Sequence, residues 1–359
     1  MTFFRKPTTL RKIGVVVLAA AVVSGACVRV LGFDEDATVV TVDGTELSLG
    51  YANFVAKYIQ AQNDMTWVYY LGEGYWTDES LADEDGNTWE DTTKEEVLEQ
   101  IELMVLLVEH MDDYGVEFTA DDLTAVTLAA EQFIDDNSQE TLDEMSATTG
   151  VVSDYLYYET VAIRMEEAIK AEADTDVTDE EAAQRTFSYL TITVSGTYTD
   201  DDGESQEYTD EEVEENIAAA EEFLELAQED FDAAAEEYGY TVYTYSYGDD
   251  EESSDDGGFN EDVIAAVDEL SEGELTGLIE SEDRYYIARL DSEFDEEATE
   301  TRKEEIIEER QEELYEEVTQ GYLDEATIKV NKRQWAKIEL DNAFLDLSTE
   351  DDEDTSVSE

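Results

Sequence analysis

Residues 257–290 read GGFNEDVIAAVDELSEGELTGLIESEDRYYIARL. A Gly-Gly turn opens the stretch. NEDVIAAVDEL then has the pattern of a short helix, and the segment closes on a strand at 285–290. Working back, residues 185–194 alternate as a strand. Thr209 or Asp210 caps a long helix to about Tyr238, and Gly239 ends it. Residues 240–247 alternate Thr or Ser with aromatics, which suits a strand. Residues 249–256 are an acidic loop. Residues 182–291 thus predict strand, helix, strand, loop, helix, strand: a small α+β unit.

Further out, residues 39–42 predict a strand, Asp43-Gly44 a tight turn, and residues 45–47 the return strand. Ser48 caps a helix with Tyr51, Phe54, Val55, Tyr58 and Ile59 on one face. Residues 64–92 form an aromatic, acidic excursion with Trp67, Tyr69, Tyr70, Tyr75, Trp76 and Trp89. Thr92 or Thr93 starts a helix through about Met111, and another follows Thr119. Two more cover 138–173, with Gly150 as the break between them. Residues 174–178 read as a polar linker. After residue 291 comes a long helix, about 299–324, with an apolar stripe that includes Ile306, Leu314, Val318 and Tyr322. A short strand follows at 327–330. The tail 348–359 is acidic and expected to be disordered.

The chain starts with Arg5, Lys6, Arg11 and Lys12, then an apolar run at 13–26. That run is short for a membrane span, which needs about 20 residues, and reads as the core of a signal peptide. Val23-Ser24-Gly25-Ala26-Cys27 resembles a bacterial lipobox, although Ser24 stands where leucine is preferred. The resemblance implies that residues 1–26 are removed, that Cys27 is lipidated, and that 27–37 is a tether on the outer face of the cell membrane. With one cysteine, no intrachain disulfide forms.

The 359 residues carry 19 basic and 98 acidic side chains, a net of −79. Residues 1–26 hold four of the bases and none of the acids, so the rest stands at −83. Such a field repels phosphate backbones and excludes nucleic acid as a partner. The acids are spread over every segment, as a solvated surface. Hydrophobic content of 42% is ample for folded cores. Pro7 is the only proline, so the processed chain has no slow X-Pro step of its own. Loops around Gly86 and Gly203 lack calcium-site ligands at the required spacing. No zinc cluster or phosphate loop exists, so neither metal nor cofactor is expected. His110, the only histidine, is placed in a helix as a surface or packing residue.

Gly257, Gly258, Leu270, Gly273, Glu274, Thr276, Ile279 and residues 285–290 together resemble the C-terminal half of a parvulin-type peptidyl-prolyl isomerase domain. Residues 39–55 resemble the start of the chaperone module of secreted foldases. The whole layout resembles PrsA-type foldase lipoproteins. It implies an α+β architecture: a mostly helical SurA/PrsA-like module from 38–175 and 299–340, with a parvulin-like domain at 182–291 inserted. Laying the family pattern on this chain puts Tyr189 and Tyr286 at the two strand histidines and Glu251 near the Cys or Asp position. Tyr245, Phe259 and Val263 fall where a reduced proline pocket would be.

What this implies is an extracytoplasmic foldase for unfolded or nascent secreted chains, with weak or lost isomerase activity. The aromatic excursion is a candidate client surface. Two rivals stand beside it: an active isomerase that uses Tyr189, Glu251 and Tyr286, and a non-catalytic adaptor for one folded partner. The long helices leave a homodimer open.

Overall fold

The computed structural model describes residues 32–199, 205–248 and 259–341. Cys27, Glu251, the Gly-Gly turn and the acidic tail therefore lie outside the described residues. The chain divides into two compact units: residues 1–173 with 311–359, and residues 174–310. The fold is α+β in both.

The first unit opens with β1 (Thr38–Val42) and β2 (Thr45–Ser48). Asp43 and Gly44 turn the chain with φ of 46° and 103°. An Asp-Gly pair tolerates those left-handed values, which match the strand twist. Ser48 accepts the Tyr51 N–H at 3.2 Å and caps α1 (Leu49–Leu71). The helix runs into the aromatic excursion, and residues 64–71 are helical. Asp64 explains the rest of it. Its carboxylate accepts the Tyr75 hydroxyl at 3.2 Å and the Trp76 indole N–H at 2.9 Å. Both rings are buried, at 1% and 0% exposure. As a client surface the excursion therefore loses Tyr75 and Trp76 to the core, while Tyr69 and Tyr70 are exposed.

α2 (Trp89–Glu109) begins earlier than Thr92, because Thr88 and Asp91 form a reciprocal capping box. α3 (Ala120–Asp136) has the same device from Thr119 and Asp122. α4 (Gln139–Met145) and α5 (Thr149–Lys170) are separated by Ser146 in a left-handed conformation, φ 55°, and Thr148 caps α5. Gly150 lies within the first turn of α5 and is not the break.

The second unit contains β3 (Arg185–Thr193), the hairpin β4 (Thr197–Thr199) and β5 (Ser205–Glu207), then α6 (Asp210–Ala227) and α7 (Phe231–Tyr238). The sequence suggested one helix over 210–238. It breaks at Asp230, whose side chain accepts the Ala233 N–H at 3.1 Å and starts a new helix. β6 (Tyr243–Tyr247), α8 (Glu261–Asp268), β7 (Ile279–Ser281) and β8 (Arg284–Ser292) complete it. The strands make an antiparallel sheet in the order β6-β3-β8-β7.

α9 (Glu296–Glu325) starts in the second unit and ends in the first. β9 (Ile328–Val330) pairs antiparallel with β1, giving the first unit a sheet of order β2-β1-β9. α10 (Lys332–Trp335) follows. His110 ends α2 and stacks on Tyr322 of α9, with ring centroids 3.9 Å apart and planes at 4°. Its packing role is thus specific.

Candidate functional site

The four-stranded sheet has two different faces, set by the period of two along each strand. Leu190 and Ile192 of β3 and Ile287 of β8 point to one face. There they pack with Ala220, Phe223 and Ala227 of α6 and with Phe231, Ala234 and Ala235 of α7. The intervening residues point to the other face. Phe187, Tyr247, Ala288 and Leu290 are buried there against Val263 and Val267 of α8. Tyr189, Tyr245, Phe259 and Tyr286 pack on them, each half-buried.

This second face is an aromatic cluster centred on Phe259. Its ring lies 4.6 Å from Tyr245, 4.7 Å from Tyr189, 5.2 Å from Phe187 and 6.0 Å from Tyr286. Most of these contacts are edge-to-face, the arrangement that the ring quadrupole favours. Phe259 is held there because Asn260 caps α8, accepting the Asp262 and Val263 N–H groups, while its amide donates to the Ser281 hydroxyl at 2.9 Å.

Tyr189 and Tyr286 sit on adjacent central strands. Tyr189 is opposite Ala288, so Tyr286 is its diagonal neighbour on the same face. Their ring centroids are 6.2 Å apart. Neither hydroxyl is hydrogen-bonded among the described residues. Burial pushes the Tyr189 phenol above its ordinary range, and the nearby Tyr286 and Tyr243 add to the shift. Tyr189 therefore stays protonated and can donate one hydrogen bond. Tyr247 differs, since its hydroxyl donates to Asp268 at 2.6 Å.

The segment after α8 fixes β8. Gly273, at φ 82°, donates its N–H to the Leu290 carbonyl at 2.7 Å. Thr276 brackets Ala288, donating its N–H to the Ala288 carbonyl at 2.8 Å and accepting the Ala288 N–H on its hydroxyl at 3.0 Å. The L-x-x-G-E-x-T run is thus a clamp on the strand that carries Tyr286.

Residues 177–300 match the family model of the PPIC-type PPIASE domain. The second unit is a parvulin-like domain. No curated protein sequence matches the chain. Among solved structures it is similar to the foldase PrsA of Lactococcus lactis, at 15% identity over 84% of this chain and 97% of that one, TM-score 0.33. It is also similar to the peptidylprolyl isomerase PrsA of Bacillus cereus, at 20% identity over 74% and 99%, TM-score 0.27. A third is one of the SurA-like chaperones of Campylobacter jejuni, at 9% identity over 82% and 98%, TM-score 0.28.

Of the sequence-derived site residues, Tyr189, Tyr245, Phe259, Val263 and Tyr286 of the parvulin-like domain come together on one face. Glu251 and Cys27 lie outside the described residues. Phe187 and Tyr243 belong to the same cluster and were not singled out from the sequence. The alternation 187/189 and 243/245 is the signal that adds them. Tyr243 stacks obliquely on Tyr189, with centroids 5.6 Å apart.

Proposed function

We propose that the chain is an extracytoplasmic protein-folding factor, tethered through a lipid on Cys27, that binds unfolded secreted polypeptides. Its parvulin-like domain contributes the aromatic face as a contact for exposed apolar and prolyl segments. One observation carries this reading. The domain match spans residues 177–300, yet the two central-strand positions that resemble the family's histidines hold Tyr189 and Tyr286.

The chemistry follows from the substitution. The barrier to X-Pro rotation is amide resonance, about 18–20 kcal/mol. Lowering it takes a grip on the proline ring and a polar group that favours the twisted amide. Phe259 and Tyr245, packed over the buried Phe187, offer aromatic surface to a pyrrolidine ring. Tyr189 and Tyr286 offer hydroxyl donors, with no imidazole to exchange protons near neutral pH. The reading is therefore binding with weak or no isomerisation. The rival of an active tyrosine-based isomerase is favoured by one fact: both hydroxyls are without a partner among the described residues and face the same side of the sheet.

A protease-coupled prolyl isomerisation assay and an aggregation assay on the same mature protein separate these readings. Aggregation suppressed with no turnover supports the proposal. Turnover at ordinary parvulin efficiency replaces it with the tyrosine-based enzyme. No suppression for any unfolded client removes the chaperone reading.

A further inference from the structure

The basic side chains of this acidic protein fall into two populations. Outside residues 326–338, all ten described Lys and Arg residues hold an ion pair. They are Lys57, Lys94, Arg164, Lys170 and Arg185 in one run, and Arg284, Arg289, Arg302, Lys303 and Arg310 in another. Residues 326–338, ATIKVNKRQWAKI, contain four basic and no acidic side chains. Lys329, Lys332, Arg333 and Lys337 of that segment hold no ion pair among the described residues. The first three are exposed. In a chain with 98 carboxylates, four unpaired cations in nine residues are a local inversion of sign.

Their place in the fold matters. The segment comprises β9, α10 and the residues just after. It is fastened to the start of the described chain: the Asn331 N–H donates to the Val39 carbonyl at 2.8 Å, and the Lys337 ammonium donates to the Gly32 carbonyl. Cys27 precedes Gly32 by five residues, a reach of at most about 18 Å. Trp335, half-buried against the core of the first unit, fixes α10 so that Lys332 and Arg333 stay outward. Asp34, Glu35 and Asp36 follow Gly32, and Asp324, Glu325, Glu339 and Asp341 bound the segment, so the excess of basic side chains is confined to it.

We infer that Lys329, Lys332 and Arg333 form a contact surface for the anionic headgroups of the membrane that holds the chain. The inference rests on the reading that Cys27 is lipidated. A lipid anchor is strengthened by basic residues beside it, each worth about fivefold in partitioning near an anionic surface. Here the same cations also set orientation. The acidic remainder is repelled by a negative bilayer, and only this segment approaches favourably.

The test holds the mature chain, with Cys27→Ser, on vesicles through an N-terminal histidine tag and a nickel-chelating lipid. A dye on Ala336→Cys, an exposed position, reports energy transfer to acceptor-labelled headgroups. Vesicles of phosphatidylcholine alone are compared with vesicles holding about 30 mol % phosphatidylglycerol, at the lowest salt where circular dichroism is native. The expected result is at least a roughly threefold gain in transfer on anionic vesicles, abolished in Lys329→Gln/Lys332→Gln/Arg333→Gln and by high salt. Equal transfer on both vesicles, or a triple variant that behaves as wild type, overturns the inference. Because the tether is artificial, the result does not depend on Cys27. The mass of protein extracted from native membranes reads lipidation separately.

Discussion

One sheet presents two chemically distinct faces from the same four strands. Leu190, Ile192 and Ile287 give aliphatic contacts to α6 and α7, and that face is closed. Phe187, Tyr189, Tyr245 and Tyr286 give an aromatic face around Phe259, whose tyrosines remain half-buried. Neighbouring residues on one strand thus serve different ends. The closed face stabilises the domain, and the aromatic face leaves its tyrosine rings partly exposed.

The sharpest way to break this comparison is a pair of truncations. Phe223 is fully buried between Tyr238 and Tyr240, with centroids 5.5 and 5.1 Å away. Phe223→Ala is expected to cost about 3–5 kcal/mol in urea unfolding, from lost transfer and a residual cavity. Phe259→Ala, at a half-buried site, is expected to cost about 1–2 kcal/mol and to remove most client binding. Equal losses of stability, with binding retained in Phe259→Ala, would erase the distinction between the faces.

A second contrast sets the parvulin-like domain against the helical unit at alkaline pH. Burial, opposed by Gln62 and reinforced by Glu159, pushes Tyr58 up to about 12. Burial, with Glu166 and Glu312 behind it, pushes Tyr315 up to about 12. A folded-state pKa above the unfolded value of about 10 means stability that is complete below pH 10 and lost as pH rises toward 12. The helical unit should therefore melt in that window by circular dichroism, and Tyr58→Phe with Tyr315→Phe should move the loss upward.

Smaller effects sharpen the account of the hydroxyls. Tyr189→Phe with Tyr286→Phe removes two groups that have no hydrogen-bond partner among the described residues. The double variant should unfold within about 1 kcal/mol of wild type. Client affinity that rests on ring surface should persist, while any residual isomerisation should vanish. A pH series gives the smallest signal. Tyr189 is pushed up from its ordinary value by burial, and the domain has no histidine. Peptide binding should therefore be flat between about pH 6 and 9, whereas a histidine-bearing site inflects near 6.5.

Much of this architecture was legible where periodicity is strong. Residues 185–194 alternate, because one face of that strand is closed by packing and the other is only half-buried. The Gly273-Glu274-x-Thr276 run carried the resemblance, and its clamp on β8 appears only in the structure. Local side-chain hydrogen bonds were harder to foresee. Asp230 interrupts a run of good helix formers by capping α7, and the Thr88-Asp91 box starts α2 early. Asp64 was equally opaque, since nothing local in sequence says that one carboxylate pulls Tyr75 and Trp76 into the core. For the site, the resemblance named Tyr189 and Tyr286, and the 187/189 alternation points to Phe187, but the central place of Phe259 emerges only when three strands and α8 converge.

The most direct test of the two-faced sheet is an NMR titration of the mature chain with an unfolded, proline-containing peptide. The account predicts shift changes at Phe187, Tyr189, Phe259, Tyr286 and Ala288, with Leu190, Ile192 and Phe223 unmoved. Changes confined to the α6/α7 face, or none in the parvulin-like domain while the peptide is bound, would contradict it.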